Sequence, residues 1–189
     1  IGNLYHTKEA IIDPRGLVTP IIDSSSVDIM VVHKGKLYAP SKLTDIKQRV
    51  LHSIPMIETT FEVGHFVILL TSFTESTGGR DTVFHHVTVT NYGHQGESID
   101  VFMSIRPYNP EGISLIQKIT YAQEEFYVNG TLGVVLIDKP HQVVCSNFKQ
   151  GDVSLLMNSP PEEEQPEARC DAGLCTAYAR YSVFLNPED

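Results

Sequence analysis

The chain has 189 residues, a net charge of −9, eight Tyr, eight Phe and no Trp. That length suits one domain, which buries roughly 70% of the surface its unfolded chain exposes. The acidic balance repels a phosphate backbone and excludes nucleic acid as a partner; no run of 18 apolar residues is present to cross a membrane as a helix.

The N-terminal segment IGNLYHTKEA lacks the basic-then-apolar pattern of a secretory signal. The three cysteines, Cys145, Cys170 and Cys175, are an odd number. Reduced thiols in a cytoplasmic protein are the default expectation, with a Cys170–Cys175 disulfide as the alternative. Sixteen aromatic rings without Trp suit strands better than helices.

Periodicity predicts strands nearly throughout. GLVTPIIDSSSVDIMVVHKGKLYAP carries β-branched runs broken by Pro20 and by Ser24 to Ser26, with a hairpin tip at Lys34-Gly35. TDIKQRVLHSIP, 44 to 55, has helical spacing at Ile46, Val50, Leu51 and Ile54, and reads also as a strand over 47 to 53, the preferred reading. MIETTFEVGHFVILLTSFTES holds two strands around Gly64. In the second, Val67, Leu69 and Thr71 alternate with Ile68, Leu70 and Ser72, as in a strand apolar on both sides in the middle of a sandwich.

TGGRD, 77 to 81, is a turn, followed by the alternating VFHHVTVTN and the turn YGHQG. ESIDVFMSIR has the strongest period of two. Ile99, Val101, Met103 and Ile105 face one way; Ser98, Asp100 and Ser104 face the other, with Phe102 as an exception. SLIQKITYAQEEFYVNGTLGVVLID gives two or three strands with a tight turn at Asn129-Gly130. HQVVCSNF and VSLLM follow, then the polar loop NSPPEEEQPEARCDAGL and the strand CTAYARYSVFL. The total is twelve to fifteen strands with one or two short helices at most. Hairpin succession without alternating helices implies an all-β, large antiparallel two-sheet sandwich in a single domain over 1–189.

Chemistry is sparsely marked. His85 and His86 point to opposite faces of a strand, so one at most joins His94, and a metal needs further ligands. His141, Cys145, Cys170 and Cys175 lack the spacing of a finger or ribbon. There is no G-x-S-x-G elbow. Asp81, Glu97, Asp100, Glu111, Asp138 and Asp152 are acids of the right type for glycoside chemistry, but no spacing singles out a pair. VNGT matches a glycosylation acceptor at Asn129. No catalytic residue, metal or cofactor is assigned.

SIRPYNPEGI, 104 to 113, is the segment set apart. Pro107 cannot donate to a ladder, and Arg106 and Asn109 precede prolines, so the segment is stiff and extended. Three roles are open. Arg106 pairs with a buried acid while Tyr108 covers the sandwich end; or Tyr108 stacks on a sugar while Arg106, Asn109 and Glu111 bond its hydroxyls; or the loop docks on another domain.

VTVTNYG, IRPYNPEGIS, VNG, GDV and CDAGLCTAYARYSVFL occur in an order that resembles the N-terminal β-sandwich of bacterial proteins related to glycogen-debranching enzymes and glucoamylases. The likeness covers about residues 10 to 185. It implies a supersandwich of the galactose-mutarotase-like kind that precedes a six-hairpin α/α toroid. In that group the catalytic acids lie on the toroid. The chain is therefore expected to be a non-catalytic accessory domain of a longer, glycoside hydrolase-like protein, with a linker beginning near NPED. Its partners would be the C-terminal helical domain of the same polypeptide and an oligo- or polysaccharide. Arg106, Tyr108, Asn109 and Glu111 are the binding or docking residues. Two alternatives remain: a free-standing carbohydrate-binding module using Tyr108, Tyr121, Phe126 and Tyr127, and a small metal-dependent enzyme using His85 or His86 with His94 and an acid.

Overall fold

The computed structural model describes residues 1–2, 9–51, 55–77 and 80–189. Its largest sheet is built on β3 (Ser26–His33), β9 (Glu97–Arg106), β17 (Thr176–Leu185) and β15 (Gln142–Ser146), hydrogen-bonded in that order. β1 (Ile11–Ile12), β2 (Val18–Thr19) and β4 (Lys36–Tyr38) complete it beyond β3, making seven strands. A four-stranded sheet runs β5 (Ile46–Leu51), β6 (Met56–Val63), β7 (Phe66–Thr77) and β8 (Arg80–Asn91). A second is ordered β14 (Thr131–Val135), β13 (Glu125–Val128), β12 (Lys118–Ala122) and β16 (Glu167–Arg169). β10 (Tyr108–Asn109) and β11 (Gly112–Ile113) form a separate ribbon. The described helical content is two short 3-10 turns, Pro40–Lys42 and Val153–Leu155.

The fold is an all-β sandwich whose pairings between strands are antiparallel. The seven-stranded sheet faces both four-stranded sheets across one core. Val27, Ile29 and Val31 of β3 and Ile99, Val101, Met103 and Ile105 of β9 meet Phe61, Phe66, Ile68 and Leu70 from one sheet, and Ile119 and Phe126 from the other. Burying each such side chain stabilises the fold by about 1.5–3 kcal/mol before chain entropy is counted.

The period of two in β9 appears as expected, and it also accounts for Phe102. The outer face of the large sheet holds a second, smaller core of Met30, Val32, Phe102, Val144 and Tyr178 under Ala39, Val153 and Met157. Phe102 meets Tyr178 edge to face at 5.1 Å. Because loops cover this face too, all eight residues of β3 are buried.

The preferred strand reading over 47 to 53 holds as far as the described residues go: each residue from Ile46 to Leu51 of β5 pairs with β6, and residues 52–54 lie outside the described residues. Three expectations change. VSLLM turns into a 3-10 segment, since the Asp152 side chain accepts the Ser154 N–H at 2.9 Å and caps it. The polar loop contains β16, whose Ala168 enters the core and pairs with Ile119. Val67 and Leu69 face outward and are only half-buried, so β7 is covered on one side. Seventeen strands are described; those beyond the expected number are two- and three-residue pieces that periodicity cannot register. The turn expected at TGGRD rests on Gly78 and Gly79, which lie outside the described residues.

The hairpin tips at Lys34-Gly35 (φ 51° and 72°) and Asn129-Gly130 (φ 53° and 83°) fall where the sequence places them. Both have positive φ at the two central positions, the handedness that matches strand twist.

Candidate functional site

β9 carries a charged residue at each end, Glu97 and Arg106, and each organises a cluster. A ten-residue strand separates them by roughly 30 Å.

At the Arg106 end, one Nη lies 3.0 Å from Asp152 and the other 3.7 Å from Asp28. The guanidinium also lies 4.6 Å from the centre of the Tyr108 ring. Its Nε is buried without a hydrogen-bond partner. Asp28 sits on β3 with its side chain 5% exposed. Burial pushes its carboxyl up to about 6, against the opposing pull of Arg106. Burial likewise pushes the Tyr108 phenol up to about 12, again opposed by Arg106. Arg106 thus pairs with a buried and a half-buried acid, and the half-buried Tyr108 ring lies against its guanidinium.

The remainder of the segment closes as a hairpin. Asn109 Oδ1 accepts the N–H groups of Glu111 at 2.8 Å and Gly112 at 3.0 Å. Its Nδ2 donates to Ser24 O at 2.8 Å, and Ser114 Oγ donates to Asp23 O at 2.7 Å. The hairpin is therefore stitched to the 20–26 loop. Glu111 is exposed and accepts only a long bond, 3.4 Å, from the Asp23 N–H. The structure brings Arg106, Tyr108, Asn109 and Glu111 onto one loop. It spends the polar atoms of Arg106 and Asn109 inside the fold.

Exposed apolar side chains occur on this hairpin and on the segments bonded to it. Ile21, Ile22, Ile113, Leu115, Phe148 and Leu155 are each at least 45% exposed. The 20–26 loop is bonded to the hairpin, and the Arg106–Asp152 pair ties in the segment that carries Phe148 and Leu155. Leu115 packs against Gly173, where an added Cβ would lie 2.7 Å from it. The Phe148 N–H faces the Cys170 sulfur and, followed by the Leu174 N–H, holds that thiol below its usual range.

At the Glu97 end, the carboxylate lies 2.9 Å from His33 Nε2 and 3.0 Å from Lys34 Nζ. His65 Nε2 is 3.8 Å away, and that nitrogen is buried without a hydrogen-bond partner. The bond to His33, then that to Lys34, holds the Glu97 carboxyl below its usual range. His33 closes β3, and His65 follows Gly64 (φ 63°) in the turn between β6 and β7, so the cluster spans two sheets. The His33 ring stands edge-on to Phe66 at 5.1 Å and to His65 at 5.7 Å. Beside it lies a cleft of about 420 Å³ lined by His65, Tyr92, Gly93, His94, Gln95 and Glu97. Buried Asn91 shapes its rim: Oδ1 accepts the Gly93 N–H, and Nδ2 donates to Gln95 O and Leu185 O. At Gly93 only hydrogen fits, because a Cβ would lie 2.6 Å from His65 Cδ2.

The other marked residues are dispersed. His85 faces inward and bonds Ser72 Oγ at 2.8 Å; burial pushes its imidazole down to about 4. His86 is exposed on the opposite face, and His94 joins the cleft beyond the end of β8. The strand residues between them separate His85 from His94 by roughly 20 Å. Among the described residues, no three His, Cys, Asp or Glu side chains are placed to share a metal ion. All three cysteines are free; burial pushes Cys145 up to about 12 and Cys175 up to about 11. Asn129 Nδ2, the glycosylation atom, donates to Leu115 O at 2.9 Å. Phe126 is fully buried and Tyr121 packs on it at 4.9 Å, so these two form part of the core edge rather than an open aromatic platform.

Sequence reasoning singled out the Arg106 hairpin from its prolines. It listed Glu97 and Asp152 by type alone and did not single out Asp28, His33 or His65. The Gly64-His65 turn was the available hint for His65; nothing in the order of residues links 33, 65 and 97. No family model matches the chain, and no curated protein matches it.

Proposed function

We propose that the chain is a non-catalytic accessory β-sandwich of a glycoside hydrolase-like protein, packing through its Arg106 end on a following α/α toroid domain and shaping the active site there. The observation that carries this reading is the set of six exposed apolar side chains on the hairpin and on the segments bonded to it, the hairpin being stiffened by Pro107, Pro110 and the Asn109 bonds. Contiguous apolar surface rimmed by polar groups marks interaction sites. A stiff loop loses little conformational freedom on docking, which favours association. Exposed Asp23 and Glu111 on the rim suit a partner face with an apolar centre and basic edges. The likeness to debranching-enzyme and glucoamylase sandwiches supplies the kind of partner.

Hydrogen exchange tests the reading by comparing this chain with the full gene product that contains it. Amides in 20–24, 108–116 and 147–156 are expected to exchange at least tenfold more slowly in the longer protein. Equal exchange there, or a gene product that ends near Asp189, overturns it.

A further inference from the structure

We propose that the cleft beside Glu97 is a binding site for a neutral, hydroxyl-rich ligand, a sugar or a polyol. It lies at the opposite end of β9 from the docking hairpin and does not depend on that reading.

The chemistry of the lining selects the class. Glu97 is the carboxylate of the cleft, and the Lys34 ammonium already lies 3.0 Å from it, so a further cation gains little there. An anion meets a chain of net charge −9. An apolar ligand finds imidazoles, an amide and a carboxylate, with the Tyr92 ring as its largest apolar contact. What remains is a neutral ligand that both donates and accepts. His94, Gln95 and the Tyr92 hydroxyl do both, and Glu97 accepts.

Three features point to a built cleft. Tyr92 is 65% exposed, while its N–H is fixed to His65 O at 3.0 Å, so its ring is presented on an anchored backbone. Gly93 is required by the approach of the His65 ring, so a side chain there would intrude on the cleft wall. His65 Nε2 is buried and left without a hydrogen-bond partner, an unfavourable state for a polar atom. The 3.8 Å gap between that nitrogen and Glu97 Oε2 accommodates one hydroxyl oxygen about 2.8 Å from each. Such a hydroxyl donates to the carboxylate and accepts from the imidazole N–H. That nitrogen is buried under the 93–95 turn, so a hydroxyl reaches it by displacing a turn that the Asn91 side chain holds.

Titration of the 189-residue chain, followed by NMR of the histidine ring protons, tests the proposal. D-Glucose, maltose and the open-chain polyol sorbitol are each raised to about 50 mM, with choline chloride and sodium sulfate as the charged probes. Saturable shifts of His65 and His94 with a neutral probe are expected; maltose or glucose against sorbitol separates a ring from a linear ligand. Tyr92→Ala, an exposed position, is expected to weaken binding at least tenfold with an unchanged melting curve, and His65→Gln to weaken it by a similar factor. Absence of saturation with every neutral probe, stronger binding of choline or sulfate, or full binding by Tyr92→Ala overturns it.

Discussion

The two ends of β9 solve the same problem with opposite charge and opposite exposure. Arg106 is a largely buried cation, its side chain 14% exposed, held by Asp28 and Asp152; Glu97 is a more open anion held by His33 and Lys34. Burial dominates at the first end and pushes Asp28 up; hydrogen bonding dominates at the second and pulls Glu97 down. The contrast teaches that an ion pair's sign of pH dependence follows from its depth. A deep carboxylate is a liability that its partner only partly offsets, whereas a shallow one profits from its partners with little loss of solvent.

The hardest test of this contrast removes the buried cation. Arg106→Met should destabilise the fold by about 3–5 kcal/mol at pH 7, because Asp28 is left without its opposite charge. The loss should shrink at about pH 4.5, where Asp28 takes up a proton. Urea unfolding followed by far-UV circular dichroism measures both, and a loss independent of pH would break the account.

Asp28 itself sets the next largest effect. Its folded carboxyl keeps a proton to about pH 6, while the unfolded one releases it near 3.8. The folded state therefore binds more protons between those values, so stability is fully present below about pH 4 and falls as pH rises to about 6. The contribution is on the order of 2–3 kcal/mol. Relative to wild type, Asp28→Asn should gain that amount between pH 4 and pH 7. Parallel stability curves for the two proteins would show that Asp28 is not the titrating group.

At the Glu97 end, Gly93→Ala should cost about 1–3 kcal/mol by overpacking against the His65 ring and the Asn91 carboxamide oxygen. Combining it with His65→Ala should restore most of the loss in a double-mutant cycle; additive losses would place the strain elsewhere. The smallest effect belongs to Glu97→Gln. The lowered carboxyl contributes stability above the ordinary carboxylate range, and this is lost as pH falls through its folded value. The variant should melt earlier than wild type at pH 7 and together with it at about pH 2, and added salt should narrow the gap. A gap that widens in acid would reverse the sign assigned to this end.

Legibility in the sequence followed distance along the chain. The Arg106 hairpin was visible because its stiffness comes from adjacent prolines and Asn109. Its acid partners were not, since Asp28 and Asp152 are 78 residues before and 46 after it. The Glu97 cluster was less visible still, with its members on three separate turns or strand ends. Phe102 looked like an irregularity because alternation describes one buried face, and a second core exists only once loops fold over the sheet.

By itself the sequence determined the strands, their alternation in β9, the tips at Lys34-Gly35 and Asn129-Gly130, and the all-β class. These depend on neighbours one to three residues apart, where side-chain period and allowed φ act directly. Tertiary structure alone decided that both faces of the large sheet are covered and which charges meet at the two ends of β9. Those outcomes depend on contacts between segments tens of residues apart, and local preference has no term that describes them.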